Sequence, residues 1–400
     1  MMAMDILEPV LVLLAGYLIG SISPSYFLGR LLGGRDIRTL GNRNAGTVNA
    51  YKSLGLWPAI LTAIFDLGKG LAALLLARHL GQPFMHLAGC AAIVGHVFPF
   101  YLRFRGGQGV ATTVGLVLYY LTLFYIRGWL PWTTLPLLAF VTLAITFISR
   151  KGEVVALLVI PLLSLLVEIW VPSRLYQSFL LSLLVYILLR DVLNLLREKY
   201  FREVQTKTET VIGWRLFLRP LAVLFVFILY LYGEKTVLLL VGSIALLFIV
   251  LDLVRLASRR VNVFFFESIK AVFKAKEYKK FSSMTIFLIA VFLTILLVEK
   301  KLAALAVLFL IFGDFFSKIL GLTFGRTRIF QKTLEGSLAH FSACLAAAYL
   351  FTRIEPVALA VWLPGAAAAS AAEALPLGLD DNFSVALISA AVMSALRLFL

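Results

Sequence analysis

The sequence predicts an all-α polytopic membrane protein, with about fourteen transmembrane helices in two seven-helix domains. Three observations lead there. Of the 400 residues, 61% are hydrophobic and 14% charged, and the mean hydropathy is +0.97; soluble domains hold roughly 45–50% apolar and about 25% charged residues. Uncharged runs recur at 106–126, 128–149, 175–189, 236–251, 281–298 and 356–372, and a span takes about 20 mostly apolar residues with tolerance for shorter ones. The polar stretch 197–213 then separates the halves, giving expected domains at 1–200 and 214–400 joined by a linker at 201–213.

The elements follow in order. The first nine residues carry Asp5 and Glu8 with no basic segment, and no small-residue cleavage site follows, so the first span is expected to be retained. Basic residues gather at 30–52, 103–105, 150–151, 190–219, 255–280 and 318–332. Between clusters there is room for paired spans joined by turns such as 78–83, 233–235 and 299–301. Pairing puts every cluster on one face, which the positive-inside tendency makes cytoplasmic, with the N-terminus outside. The net charge of +16 is therefore confined to one membrane surface. Its expected partners are membrane lipid headgroups and phosphorylated substrates, not nucleic acid. Cys90 and Cys344 stand in apolar surroundings and suggest neither a disulfide framework nor a zinc site. The run 365–372, Gly-Ala-Ala-Ala-Ala-Ser-Ala-Ala, is a small-residue helix face suited to close packing. The two halves share no motif.

The segment 95–112 is the most informative: Gly95-His96-Val97-Phe98-Pro99-Phe100-Tyr101-Leu102-Arg103-Phe104-Arg105-Gly106-Gly107-Gln108-Gly109-Val110-Ala111-Thr112. It joins two apolar runs and needs none of these polar residues to do so. Closely spaced glycines free backbone N–H groups to face an anion, and flanking arginines supply charge, so the segment reads as a phosphate seat at a membrane surface. Three further strings precede it: Gly20-Ser21-Ile22-Ser23-Pro24-Ser25-Tyr26 with Gly29-Arg30, the run 36–49 from Asp36 and Arg38 to Asn44 and Asn49, and Asp66-Leu67-Gly68-Lys69-Gly70.

These four strings, in this order over about residues 10–195, resemble the acyl-phosphate-dependent glycerol-3-phosphate acyltransferases, the PlsY family. The resemblance implies transfer of an acyl group from acyl phosphate to the 1-hydroxyl of glycerol 3-phosphate, giving lysophosphatidic acid without a cofactor. It implies Arg38 and His96 as catalytic residues. It implies Ser21, Asn44, Asn49, Lys69, Arg105, Gly106, Gly107, Gln108 and Gly109 as contacts to the two phosphorylated substrates. The residues suit that chemistry: Arg38, Lys69, Arg103 and Arg105 can neutralise two phosphates. The amides of Gly106, Gly107 and Gly109 are candidate donors to a leaving phosphate or developing oxyanion, Asn44 and Asn49 candidate positioners of glycerol hydroxyls, and His96 a candidate proton acceptor. Asp66 and Lys69, three apart on one helix, read equally as a structural ion pair. Two positions depart from the family pattern. Gly41-Asn42-Arg43-Asn44 stands where the family has Gly-Ser-Gly-Asn, and Gln108 stands where Gly-Gly-Lys-Gly has its cation. A later family string, His-Arg-x-Asn-Ile, is only faintly matched in Arg190-Asp191-Val192-Leu193-Asn194.

The second half has its own constellation: Gly313-Asp314, Ser317-Lys318, Gly321, Gly325-Arg326 and Lys332-Thr333-Leu334-Glu335-Gly336-Ser337, supported by Asp252 with Arg255, Lys276-Glu277, Glu373 and Asp380-Asp381-Asn382. It resembles the CTP-dependent dolichol, phytol and diacylglycerol kinases, which are related to the phosphatidate cytidylyltransferases. That implies Asp314 as a catalytic residue, Asp314 and Asp381 as ligands of Mg²⁺, and Lys318, Gly325, Arg326, Lys332 and Gly336 as contacts to CTP, with a lipid alcohol as acceptor. Arg215-Leu216 and Arg219 stand where that family often opens with Arg-Lys and a nearby His. No Walker A pattern is present, which excludes a P-loop mechanism. A variant of this two-enzyme reading keeps only one half catalytic, and a transporter or flippase of phosphorylated or lipid-linked solutes is the reading from a different class. It calls for paired discontinuous helices and mid-membrane charges in repeated halves, whereas the polar residues here gather at span ends.

Overall fold

The computed structural model describes residues 2–80, 85–200, 219–268 and 278–399. The expected turn at 78–83 lies partly outside them; the linker 201–213, Arg215-Leu216 and the pair Lys276-Glu277 lie wholly outside. The chain divides into two compact units, unit 1, residues 1–135 and 156–195, and unit 2, residues 136–155 and 196–400. The segment 136–155, expected in the first domain, therefore groups with unit 2.

Unit 1 contains α1 (Met2–Ser21), α2 (Pro24–Gly33), α3 (Thr47–Leu54), α4 (Leu56–His79), α5 (Met85–Val97), α6 (Val110–Ile126), α8 (Gly152–Trp170) and α9 (Arg174–Arg197), while α7 (Thr134–Ser149) runs mostly within unit 2. Pro24 at the start of α2 has no N–H to continue α1, so the chain breaks at Ile22–Ser23 and leaves carbonyls open. Helix α1 packs along α5, and α4 packs on α5 and α6. Small residues permit this closeness: a Cβ on Gly95 would meet the Tyr17 carbonyl and lie 2.9 Å from Ser21 N. Side-chain size, not hydrophobicity, decides such contacts when lipid is as apolar as the helix.

Unit 2 contains α10 (Val223–Tyr232), α11 (Glu234–Ala257), α12 (Arg259–Ser268), α13 (Ser283–Leu297), α14 (Lys300–Leu308), α15 (Asp314–Phe324), α16 (Leu334–Phe351), α17 (Leu359–Ala374) and α18 (Asp381–Arg397). A π turn, Phe309–Gly313, joins α14 to α15 without ending the span. A two-stranded hairpin, Arg328–Ile329 with Lys332–Thr333, joins α15 to α16. In the apolar 18-residue stretch of the composite span Lys300–Phe324, 72% of residues are buried, against 22% in that of Glu234–Ala257. The first is the centre of unit 2 and the second its periphery.

Among the described residues, eight helices are long and apolar enough to cross a membrane, and four shorter apolar helices accompany them. The expected count of about fourteen is not reached by these helices. Part of the difference lies in broken or composite spans: Leu7–Gly33 passes through the break at Ser23, and Lys300–Phe324 passes through the π turn. Hydropathy gives the length of an apolar run but not where its backbone is interrupted.

Candidate active site

In unit 1 the polar centre forms where the α1–α2 break, the middle of α4 and the end of α5 meet. Lys69 Nζ lies 2.8 Å from Asp66 Oδ1 and 3.1 Å from the Ile22 carbonyl, and it contacts His96 Nδ1. Asp66 Oδ1 is also 3.4 Å from His96 Nδ1. The three side chains are 1%, 6% and 5% exposed for Asp66, Lys69 and His96. Charges so deeply enclosed persist only when paired and hydrogen-bonded. An ammonium has three N–H donors, and here it has three acceptors. With His96 Nδ1 turned to Lys69 and Asp66, the other ring nitrogen, Nε2, points away from them. That edge faces the Gly-rich loop: a Cβ on Gly107 would strike His96 Nε2 and lie 2.7 Å from the Ala45 carbonyl.

The loop amides correct one expectation. Gly106 N–H and Gly107 N–H each donate at 3.0 Å, to the carbonyls of Val97 and His96. They close the end of α5, whose last carbonyls have no partner within the helix, and are not available to an anion. The donors left in this segment are the amides at the start of α6, which no side chain caps; Gly109, its N-cap, has φ +76°. Positive partial charge at such a helix start favours a phosphate. Arg103 and Arg105, both exposed, flank it.

Several expected substrate contacts take other roles. Arg38 forms a fork on Asp36, with its Nη2 at 2.7 Å and its Nε at 3.0 Å, and its Nη1 donates to the carbonyls of Leu102 at 2.8 Å and Arg105 at 3.1 Å. It also lies over the Tyr26 ring. It thus ties the 36–38 turn to the 100–105 loop. The Arg38 guanidinium holds the Asp36 carboxyl below the usual carboxylate range, and Asp36 in turn raises Arg38. Asn49 is fully buried. Its amide donates to the carbonyls of Ile37, Leu40 and Asn44 at 2.9–3.0 Å, and its Oδ1 accepts from Asn42 N–H at 3.2 Å. Asn49 is therefore the peg around which residues 37–44 wind, and not a free contact for glycerol hydroxyls. Asn44 is half-buried on the same turn. Ser21 is buried and its hydroxyl donates to the Tyr17 carbonyl at 2.8 Å.

Sequence reasoning missed four participants. The Ile22 carbonyl is exposed for Lys69 by the break, for which Pro24 was the signal. Tyr101 Oη bridges that break, donating to the Ser21 carbonyl at 2.9 Å and accepting from Ser23 N–H at 3.1 Å. Asn194 pairs with Gln108, and Tyr186 Oη donates to the Gln108 carbonyl at 2.9 Å. No local pattern marks Tyr186.

Unit 2 brings together part of its expected constellation. Asp314, 3% exposed, pairs with Lys318 Nζ at 2.5 Å and with Arg219. Ser317, one turn on, donates to Glu373 Oε1 at 2.9 Å. Lys332 Nζ bridges Glu373 Oε1 at 3.1 Å and Asp381 Oδ2 at 2.6 Å. Burial alone would lower Lys332, but these two carboxylates together raise it above its ordinary value. Arg326 stands apart, paired with buried Glu335, whose Oε2 accepts the N–H groups of Arg326 and Thr327 at 3.0 and 3.2 Å. Gly325 and Gly336 serve helix packing: Cβ atoms there would meet Thr333, and for Gly336 also the Ser317 carbonyl at 3.3 Å. Gly336 N–H is taken by Thr333 Oγ1 at 3.1 Å. Asp252 and Arg255 form a closed buried pair, completed by Asn262, the Lys280 carbonyl, Ser282 N–H and Thr285. Asp314 and Asp381 do not fit a resident metal centre. Their oxygens face ammonium and guanidinium groups, and among the described residues no three acid, His or Cys side chains converge as a ligand set.

A family model described as glycerol-3-phosphate acyltransferase matches residues 10–199. Glycerol-3-phosphate acyltransferase 2 of Dehalococcoides mccartyi is 42% identical over 112 residues, 28% of this chain and 53% of that protein. A glycerol-3-phosphate acyltransferase of Pseudomonas fluorescens is 39% identical over 172 residues, 42% of this chain and 85% of its own length. Glycerol-3-phosphate acyltransferase 1 of D. mccartyi is 31% identical over 207 residues, 51% and 96% of the two chains. Of the first of these relatives the chain spans about half the length, 53%. The crystal structure of PlsY, an integral membrane glycerol 3-phosphate acyltransferase, in its glycerol 3-phosphate form is 24% identical with a TM-score of 0.40, over 49% of this chain and 94% of that one.

Proposed function

We propose, on the premise that this chain belongs through residues 10–199 to the glycerol-3-phosphate acyltransferase family, that unit 1 transfers an acyl group from acyl phosphate to glycerol 3-phosphate. The observation that carries the proposal is the buried Asp66–Lys69–His96 set lying directly under the Gly-rich loop. The 1-hydroxyl oxygen of glycerol 3-phosphate attacks the acyl carbon, the carbon–oxygen bond to phosphate breaks, and lysophosphatidic acid and inorganic phosphate result. Fixed on Lys69, His96 presents Nε2–H as a donor, so it polarises a carbonyl or holds a phosphate oxygen. The hydroxyl proton passes to the departing phosphate oxygen, which becomes strongly basic as the carbon–oxygen bond breaks, so hydrogen phosphate leaves. The start of α6 with Arg103 and Arg105 receives the negative charge. The distribution of basic clusters supports a site on the cytoplasmic face of an inner membrane.

The test is acyl transfer by the purified full chain in detergent micelles, followed as lysophosphatidic acid formation. Replacement of a donor aimed at developing charge lowers kcat by about 10²–10³-fold, and that is the outcome expected for His96→Ala. Wild-type protein that makes no product, or a His96→Ala variant that keeps full activity, defeats the reading.

One observation favours a second activity in unit 2. Ser317, Lys332, Glu373 and Asp381 meet in one hydrogen-bonded cluster, with Ser317 one turn from Asp314. The hydroxyl oxygen of a lipid alcohol would attack the terminal phosphorus of CTP, and the bond from that phosphorus to its bridging oxygen would break to release CDP. The hydroxyl proton would pass to a carboxylate of the cluster, with Lys318 and Lys332 moving from carboxylate to phosphate. Any Mg²⁺ would arrive with the nucleotide as substrate. Phosphorylated lipid formed from CTP, and lost in Asp314→Asn, is the expected result; no product with any lipid alcohol removes this second reading and leaves the first intact.

A further inference from the structure

The acyl-transfer proposal gives no task to the contact between the Gly-rich loop and α9. Gln108, neutral where the family pattern has a cation, is not a loose side chain. Its Nε2 donates to Asn194 Oδ1 at 3.3 Å, and its Oε1 accepts from Asn194 Nδ2 at 3.1 Å. Tyr186, eight residues earlier on α9, donates its hydroxyl to the Gln108 carbonyl at 2.9 Å. Positions eight apart lie near one face of a helix, so α9 grips the loop at two points. The grip reaches the next residue too: a Cβ on Gly109 would lie 2.8 Å from Tyr186 Oη. Gly109 is the residue that starts α6.

We infer that Asn194 and Tyr186 are positioning residues for acyl transfer, latching the loop 106–109 through Gln108 so that the first amides of α6 keep one aim. In this arrangement Gln108 is the latch and not a weakened phosphate ligand. The chemistry of the pair explains why a carboxamide stands here. A primary amide both donates and accepts, so two amides close a reciprocal ring. A lysine at 108 would donate to Asn194 Oδ1 but leave Asn194 Nδ2 without its acceptor. The inference rests on the acyl-transfer reading above.

Steady-state kinetics on the full chain in micelles test it. Asn194→Leu keeps nearly the same shape and removes both hydrogen bonds, and its expected effect is a fall in kcat on the order of 10–10²-fold with both KM values nearly unchanged. Asn194→Asp still accepts from Gln108 Nε2 and should fall between wild type and Asn194→Leu. Gln108→Lys should be slower than wild type, and Gln108→Lys with Asn194→Asp should recover, because ammonium and carboxylate restore a pair. Tyr186→Phe removes one hydroxyl only and should lower kcat in the same way; it keeps the test open where Asn194→Leu does not fold. A purely structural latch would lower the yield of folded protein but leave kcat per folded molecule unchanged, which overturns the inference. So does a Gln108→Lys variant faster than wild type, since that would make Gln108 a missing cation. Inactive wild-type protein overturns the acyl-transfer reading and this inference together, whereas active wild type with an unaffected Asn194→Leu overturns this inference alone.

Discussion

Replacing Lys69 by Met removes an ammonium that three acceptors share. Asp66, 1% exposed, would keep its charge with only His96 beside it, and the Ile22 carbonyl would lose its donor. Breaking a buried pair by deleting one member costs about 3–5 kcal/mol, which at 1.4 kcal/mol per tenfold is on the order of 10²–10³-fold in the folding equilibrium. Deleting the charge of the other member as well should be less harmful. Asp66→Asn with Lys69→Met leaves no stranded carboxylate, and coupling of about 1–3 kcal/mol is expected between sites in direct contact. The assay is reversible unfolding in mixed micelles for the two single variants, the double variant and wild type. If Lys69→Met matched wild type, or the two changes simply added, the account of a desolvated ion pair would be refuted.

Three further outcomes follow from the same geometry. Gly107→Ala should lower stability by about 1–3 kcal/mol through overpacking, because its methyl would meet His96 Nε2 and the Ala45 carbonyl; unfolding midpoints check this, and kcat should fall with them as the ring is displaced. Asp36 is held low by Arg38, so its contribution to stability is present above the ordinary carboxylate pKa of about 3.9 and disappears as pH falls through its depressed folded value; Asp36→Asn should flatten the acid limb of a stability–pH curve below about pH 4. Lys332 is raised, so its contribution is present below the ordinary lysine value of about 10.4 and is lost as pH rises through its higher folded value; Lys332→Met should remove that alkaline limb while destabilising unit 2 at neutral pH by leaving Glu373 buried without its ammonium.

How much of this was legible in the chain depends on whether the cause was local. The apolar runs were read, and the break before Pro24 was missed although its signal is local, since helix propensity and the missing proline N–H act within a few residues. The Asp66–Lys69 spacing was readable as a pair, but the carbonyl and imidazole that complete it come from the break after α1 and from α5. The Gly-rich loop was recognised and partly misjudged. Glycines there were expected to free amides for an anion, yet Gly106 and Gly107 point theirs at α5, and Gly107 is small because His96 lies against it. Arg38 and Asn49 show the same limit. Both are polar residues in a motif, and only the fold reveals that their donors are taken by main-chain carbonyls. Gln108 looked like a defect in a pattern until Asn194, 86 residues away, supplied its partner.

The π turn at Phe309–Gly313 has a consequence best stated as register arithmetic. A helix advances about 100° per residue, and a π turn holds about one residue more than an α turn. Asp314 and Ser317 therefore sit about 100° around the axis from where an unbroken helix would carry them. The Cys344 thiol lies 3.8 Å from the Phe309 carbonyl, beside that wider turn. Deleting one apolar residue between 309 and 313 would leave the span's hydropathy almost untouched. It would also rotate Asp314 away from Arg219 and Ser317 away from Glu373. In an alignment of related chains, a gap of a single residue at this point would thus separate proteins that keep the polar cluster from proteins that have lost it, even where every one of its side chains is still present.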